Sequence, residues 1–217
     1  MMGFFQDAAS FMPVLLAGVG MTIGITLCAL LLSMVLGLVW ALMGVSKIRP
    51  LRWFAQTVIT VIRGVPILVQ LFYVYFVLPQ LGLSLDAFVA GVIGLGVAYS
   101  AYQAENFRAG IEAVDKSYIE AAKSLGMTDA MVMRRVILPL AIKVALPPFG
   151  NTAIMLLKDS SIASTITVAE LTRAGQLLAL SSFKNMTVYS LIALLYLGMS
   201  LPLTFFTRWL ERRGARR

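Results

Sequence analysis

SYIEAAKSLGM, Ser117 to Met127, is a short charged segment inside a chain otherwise written for lipid, since hydrophobic residues make up 59% of the 217-residue sequence. Ser117 and Glu120 have the S-x-x-E spacing of a capping box, in which each side chain satisfies the other's backbone N–H. Gly126 suits a left-handed C-terminal stop. Thr128 or Asp129 is placed to cap a second helix running from about Ala130 towards Leu138. The spacing therefore predicts two short helices joined at a glycine corner. The first presents Tyr118, Ile119, Ala121, Ala122 and Leu125. An apolar face on a water-exposed helix needs a partner, and two readings stand: a groove on another protein, or the chain's own span ends.

Outward from this segment the sequence is dominated by uncharged runs. Residues 8–46, 64–85, 87–104 and 185–207 carry no Asp, Glu, Lys or Arg. About 20 apolar residues cross a hydrocarbon core of ~30 Å. A fifth apolar segment runs from Val136 to Leu157 if Lys143 snorkels to an interface. These runs predict one all-α membrane domain over residues 1–217 with five transmembrane helices at about 14–45, 54–78, 86–107, 138–158 and 186–208, and a loop at about 115–136. The first run exceeds one perpendicular span, so it tilts or starts as an interfacial segment around Phe4, Phe5, Phe11 and Met12.

The net charge of +8 belongs to topology and not to nucleic acid. Lys47, Arg49 and Arg52 follow the first span. Arg108, Lys116, Lys123, Arg134, Arg135 and Lys143 surround the third loop, and Arg208, Arg212, Arg213, Arg216 and Arg217 close the chain. The N-terminal segment and the loop Pro79–Ser84 carry no positive residue. The positive-inside rule then puts the N-terminus outside and the C-terminus in the cytoplasm, which an odd number of crossings satisfies. The uncharged start, with only Asp7 before the first span, does not predict a cleavable signal peptide. With no His and one Cys, neither a metal cage nor a disulfide framework is available, and Cys28 reads as a small packing residue. No G-x-x-x-x-G-K-[ST] loop occurs, so any ATP is bound by another subunit. Gly20–Gly24 (GMTIG) and Gly91–Gly96 (GVIGLG) read as close-packing sites between helices. No internal repeat is visible, against the inverted halves of many secondary carriers.

EAAKSLGMTDAMVMRRVILP, Glu120–Pro139, resembles the EAA loop of permease subunits of bacterial ABC importers. A glycine stands four positions after the second alanine, nine residues follow, and Val136 takes the isoleucine position before Ile137-Leu138-Pro139. VIRGVPILVQLFYVYFVLP (Val61–Pro79), AYQAENFRAGIEAV (Ala101–Val114), LPPFGN (Leu146–Asn151) and LLKDSSIASTITVAEL (Leu156–Leu171) are similar to the polar amino-acid permeases of the histidine, glutamine and arginine type. Lys158-Asp159-Ser160-Ser161-Ile162 departs from that family's usual K-D-T-S-L. The resemblance, over about residues 14–210, implies a MetI-like permease fold in the bacterial inner membrane. It implies a second permease subunit, as homodimer or heterodimer, two ATPase subunits that hold ATP and Mg, and an extracytoplasmic solute-binding protein. The chain itself would bind no cofactor and catalyse no reaction. Tyr118, Glu120, Ala121, Ala122, Leu125, Gly126 and Met127 would form the coupling helix that docks on the ATPase. A self-sufficient channel or secondary carrier is the alternative.

Ionisable groups at membrane depth are functional candidates by default. Asp159 is the sharpest: counted from Pro147-Pro148 as the entry of span four, eleven residues at ~1.5 Å put it near mid-membrane. It reads as a binder of a substrate ammonium, with Ser160, Ser161 and Ser164 adding hydroxyls, or as half of a structural ion pair or of an interfacial pair at the outer surface. Gln70, inside span two, faces the pathway or bonds to a neighbouring helix. Arg63 snorkels or holds a gate. Glu105 and Arg108, three apart, form a pair on one helix face. Tyr99 and Tyr102 line the path or pack. Pro147-Pro148 mark a helix start or a kink.

Overall fold

The computed structural model describes the backbone of residues 2–214 and the side chains of 6–210 and Arg212; Phe4, Phe5, Arg213, Arg216 and Arg217 lie outside the described side chains. All regular structure among the described residues is helical: α1 Met2–Gly44, α2 Arg49–Gly64, α3 Ile67–Phe72, α4 Ala87–Glu112, α5 Lys116–Ser124, α6 Asp129–Val132, α7 Leu138–Asp159, α8 Leu171–Ser182 and α9 Asn185–Gly214. The long first run becomes one 43-residue helix, about 65 Å at ~1.5 Å per residue. α4 starts on the Asp86 carboxylate, which accepts from the Val89 N–H at 3.0 Å.

Four helical segments are long and apolar enough to cross a membrane, Gln6–Gly44, Ala87–Glu112, Asp129–Ile166 and Asn185–Leu210, and a fifth crossing results if α2 and the segment Ile67–Leu81 count as one broken span. That broken span is not the straight helix expected over 54–78: its halves meet at 100°. Pro66 donates no N–H and disfavours helical backbone in the residue before it; Val65 is accordingly extended, at φ −105° and ψ 131°. Two further expectations change. The second loop helix is no separate unit, because α6 runs through a π turn, Met133–Ile137, directly into α7. Pro147 and Pro148 lie inside α7 and do not start it. α8 was not anticipated.

The core forms where α1, α3, α4 and α7 meet, around Ile25, Ala29, Leu71, Leu95, Tyr99 and Leu156. Close approach depends on small residues, though not those of the GMTIG motif. A methyl added at Gly20 would meet nothing within 4 Å, and at Gly24 only Phe88 at 3.9 Å. Tight contacts include Gly37, against Gln103 and Ser100 of α4, and Gly91, Gly94 and Gly96 of the GVIGLG stretch, against Ile25, Leu71 and Leu32. Cys28 is exposed, so it is not the packing residue its size suggested.

Pairings between helices set the height of each part. α7 runs antiparallel to α4, with Ala141 beside Gly110, Thr152 bonded to Asn106 and Asp159 bonded to Tyr99. α8 returns along α1, from Leu171 beside Gly18 back to Lys184, which pairs with Asp7. One end of the bundle thus carries Asp7, Lys184 and the Leu83–Asp86 connection. The other carries α5, α6 and the α1–α2 connection, joined where Lys47 pairs with Asp129.

Candidate functional site

At the α5 end, the helix begins one residue before Ser117, so the anticipated capping box does not form. Asp115 is the N-cap and accepts from the Ser117 N–H at 2.8 Å. That bond, with a further one from the Ser117 side chain, holds the Asp115 carboxyl below its usual range. The C-terminus closes as foreseen: Gly126 adopts φ 78°. The Met127 N–H donates to Ala122 O at 3.2 Å and the Gly126 N–H to Lys123 O at 2.9 Å, the two bonds of a Schellman motif. Thr128 Oγ1, and not Asp129, accepts from the Met131 N–H, at 3.4 Å.

The apolar face of α5 divides. Ala122 is buried in a cluster with Val114, Val132, Ile137 and Ala141, and Ile119 and Met127 pack against it. Tyr118 and Leu125 stay 57% and 78% exposed, and Ala121 between them is exposed as well. At 100° per residue, positions 118, 121 and 125 form one stripe and 119 and 122 another. The packing on the chain's own span ends therefore holds for one stripe, while the other stays exposed. Glu120 lies off both. Two ties unforeseen in the sequence position the helix: Asp129 takes Lys123 of α5 at 3.3 Å and Lys47 from the α1–α2 connection.

The second constellation runs through the bundle. Tyr99, 1% exposed, donates its hydroxyl to Asp159 Oδ2 at 2.7 Å. The ion pairs among the described residues leave Asp159 out, Lys158 included, so the ion-pair reading finds no partner. Asp159 faces Tyr99, twelve residues into α4, or ~18 Å at ~1.5 Å each. That pairing gives its height, where counting from the prolines gave it on a wrong start. Ser160 is fully buried and donates its hydroxyl proton to Leu157 O at 2.8 Å, so that proton is not offered to Asp159. Ser161 is half-buried.

Tyr99 and Tyr102 rings lie 5.7 Å apart, and the Arg63 guanidinium sits 5.7 Å from the Tyr102 centroid. Arg63 Nη1 reaches Glu105 Oε1 at 3.6 Å. Arg108 Nε donates to Glu105 Oε2 at 3.1 Å and Arg108 Nη1 to Glu112 at 3.0 Å. A continuous chain of contacts thus runs from Asp159 towards the α5 end. Below Tyr102 it borders a groove of about 650 Å³ between α1, α2 and α4, lined by Trp40, Gln56, Thr60, Arg63, Glu105 and Arg108 among others. Arg63 faces this groove. Gln70 does not join: its amide donates to Ile62 O at 2.7 Å and Val65 O at 2.8 Å, bracing the broken span.

One buried polar cluster escaped the sequence reading. Glu170, 0% exposed, caps α8 by accepting from the N–H groups of Thr172 at 2.9 Å and Arg173 at 2.7 Å, and also accepts the Tyr196 hydroxyl at 2.8 Å. Thr22 of α1 accepts from the Leu171 N–H at 3.1 Å. The local signal was weak, because Glu is not among the favoured N-cap residues, and the cluster's other members, Thr22 on α1 and Tyr196 on α9, lie far away in sequence.

These features define a polytopic helical membrane protein with a capped helix protruding from one end and a polar line through its bundle. The chain belongs to the family of binding-protein-dependent transport system inner membrane components, whose model matches residues 33–216. It is 40% identical over 216 residues to the probable amino-acid ABC transporter permease protein PatM of Vibrio harveyi, covering 98% of this chain and 97% of that one. It is 39% identical to the glutamine transport system permease protein GlnP of Escherichia coli, covering 93% of each. The same identity, over 94% of this chain and 88% of the other, relates it to the L-cystine transport system permease protein TcyB of Bacillus subtilis. A crystal structure of an amino acid ABC transporter with histidines superposes at a TM-score of 0.89 with 43% identity, over 96% of this chain and 98% of that one. The inward-facing MetNI methionine ABC transporter shares the fold at a TM-score of 0.79 and 20% identity, over 94% and 97%.

Proposed function

We infer that this chain is the permease subunit of an ATP-driven, binding-protein-dependent amino-acid importer in a bacterial cytoplasmic membrane. It crosses five times, with the broken pair α2–α3 as the second crossing, its N-terminus outside and its C-terminus inside. The observation that carries the reading is the exposed stripe Tyr118, Ala121, Leu125 on a helix whose other apolar stripe is already packed. A rigidly held helix with a free apolar stripe and a small central residue suits insertion into a cleft on a partner. That partner is a pair of ATPase subunits, which bind ATP and Mg; this chain binds neither. Glu120, Gly126 and Met127 shape the docking helix. Lys47, Arg49, Arg52, Lys116 and Lys123 cluster at this end while the far end carries few cations, in accord with its lying in the cytoplasm.

Asp159 is the group for a substrate ammonium, at a depth where an ionised carboxylate without a cation is otherwise costly. Tyr99 orients it, and Ser161, Arg63 and Glu105 border the path towards the cytoplasm. A groove lined by Arg63, Glu105 and Arg108 cannot face lipid, so a second permease subunit, identical or sister, covers it, and an extracytoplasmic binding protein delivers the amino acid. ATP drives the cycle only through differential affinity of the partner for two states of this chain. The test is purification from the native membrane followed by uptake in proteoliposomes. The ATPase is expected to co-purify, and Asp159→Asn to weaken uptake affinity roughly ten- to hundredfold, the worth of a hydrogen bond to a charged group. Unchanged uptake kinetics would remove Asp159 from the path, and amino-acid uptake by the chain without any ATPase would overturn the class.

A further inference from the structure

The contacts that link α2 to α4 are unequal. Glu105 Oε2 is held by Arg108 of its own helix at 3.1 Å, and Arg108 in turn holds Glu112. These bonds lie within α4 and are unaffected by movement of its neighbours. Arg63 reaches Glu105's other oxygen from α2, at 3.6 Å, an ion pair that among the described residues joins the two helices. Only Ala55 and Ile59 of the 16 residues of α2 are buried, Ile59 in a small cluster with Ala101 and Ala104 flanked by Trp40 and Ile62. The helix is lightly attached along one side.

The end of α2 is also built to bend in one place. Gly64 has open space where a side chain would be, Val65 is extended, Pro66 breaks the backbone bonding, and the chain turns by 100°. Breaks of this kind leave carbonyls without helical partners; the Gln70 amide takes Ile62 O of α2 and Val65 O of the break. Arg63 thus stands next to a braced hinge. It is also level with Tyr102, between the Asp159–Tyr99 pair and the groove that leads to the α5 end.

We propose that the Arg63–Glu105 pair is a latch that holds α2 against α4 at the level of Tyr102, and that α2 pivots at Gly64–Pro66 when the pair separates. This rests on the permease reading above: the pivot opens or closes the path between Asp159 and the cytoplasmic groove. Arg63 is a positioning residue here, with no contact to substrate required.

The experiment measures the α2–α4 distance directly. Spin labels are placed at Thr57→Cys and Ala109→Cys, both exposed, in a Cys28→Ser background. The complex is assembled in lipid nanodiscs and diluted with unlabelled chain. Pulsed electron resonance then gives the population with α2 displaced. Arg63→Gln is expected to raise that population roughly two- to fivefold, the range for a partly exposed ion pair. Glu105→Gln is expected to do the same, the double variant no more than either single, and Arg63→Lys to restore most of the paired form. Unchanged distances in Arg63→Gln, or effects of the two variants that multiply, would overturn the latch. Should Glu105→Gln fail to assemble, Arg63→Gln against Arg63→Lys still decides. The distances are read without nucleotide or substrate, so a failure of the latch is distinct from a failure of the transport function.

Discussion

A methyl group added at Gly37 would lie 2.6 Å from Gln103 Cβ and 2.9 Å from Ser100 O, so α1 and α4 would have to separate. At Gly20 the same methyl meets nothing within 4 Å. Gly37→Ala is therefore predicted to destabilise the chain by about 1–3 kcal/mol, as overpacking does. Gly20→Ala is predicted to be neutral or to stabilise by up to about 1 kcal/mol, through helix propensity. Thermal unfolding of both variants in detergent checks the pair, and equal effects would contradict this packing. The sequence pattern pointed to Gly20 and Gly24 because their spacing is right. Which glycine meets a neighbouring backbone depends on helix rotation, which spacing does not encode. The same holds for Gln70, whose two acceptors follow from the break at Val65–Pro66.

At the scale of elements, α5 shows how far short-range chemistry reaches. Its existence, its glycine stop and the Thr128 cap all follow from residues within one turn of each other, and were legible. The N-cap was misplaced because Asp115 outcompetes Ser117: its carboxylate reaches the Ser117 N–H from one residue outside the helix. The division of the apolar face was not legible either, since Val132, Ile137 and Ala141 select which stripe is buried. That division yields a contrast between adjacent residues. Ala122→Trp is predicted to disrupt the loop cluster, destabilising it by about 1–3 kcal/mol. Ala121→Trp is predicted to leave the cluster intact and abolish association with the ATPase. Limited proteolysis reads the first effect and co-purification the second; identical outcomes for the two variants would refute the assignment of the stripes.

For the whole molecule, α4 separates two chemically different ends by 26 residues, or ~39 Å at ~1.5 Å per residue. Leu83, 60% exposed, precedes α4, and Leu125, 78% exposed, follows it. In a Cys28→Ser background, Leu83→Cys is predicted to react with an impermeant maleimide on intact cells or spheroplasts. Leu125→Cys is predicted to react only once the cytoplasmic face is opened. The reverse pattern would invert the orientation proposed here.

What the sequence by itself determined is what contiguous residues decide: helical spans, from uncharged runs long enough for a bilayer; a basic and a non-basic end; and a capped helix between spans three and four. Tertiary structure decided the rest. Asp159 and Tyr99 are 60 positions apart, Lys47 and Asp129 82, and Leu171 and Thr22 149. Whether such groups meet depends on the relative height and rotation of separate helices. Those are set by the packing of Gly37, Gly94 and Gly96 and by the 100° break in the second span. Cap and hydropathy signals act within a turn or a span, whereas the line from Asp159 to Arg63 exists only once three helices are packed.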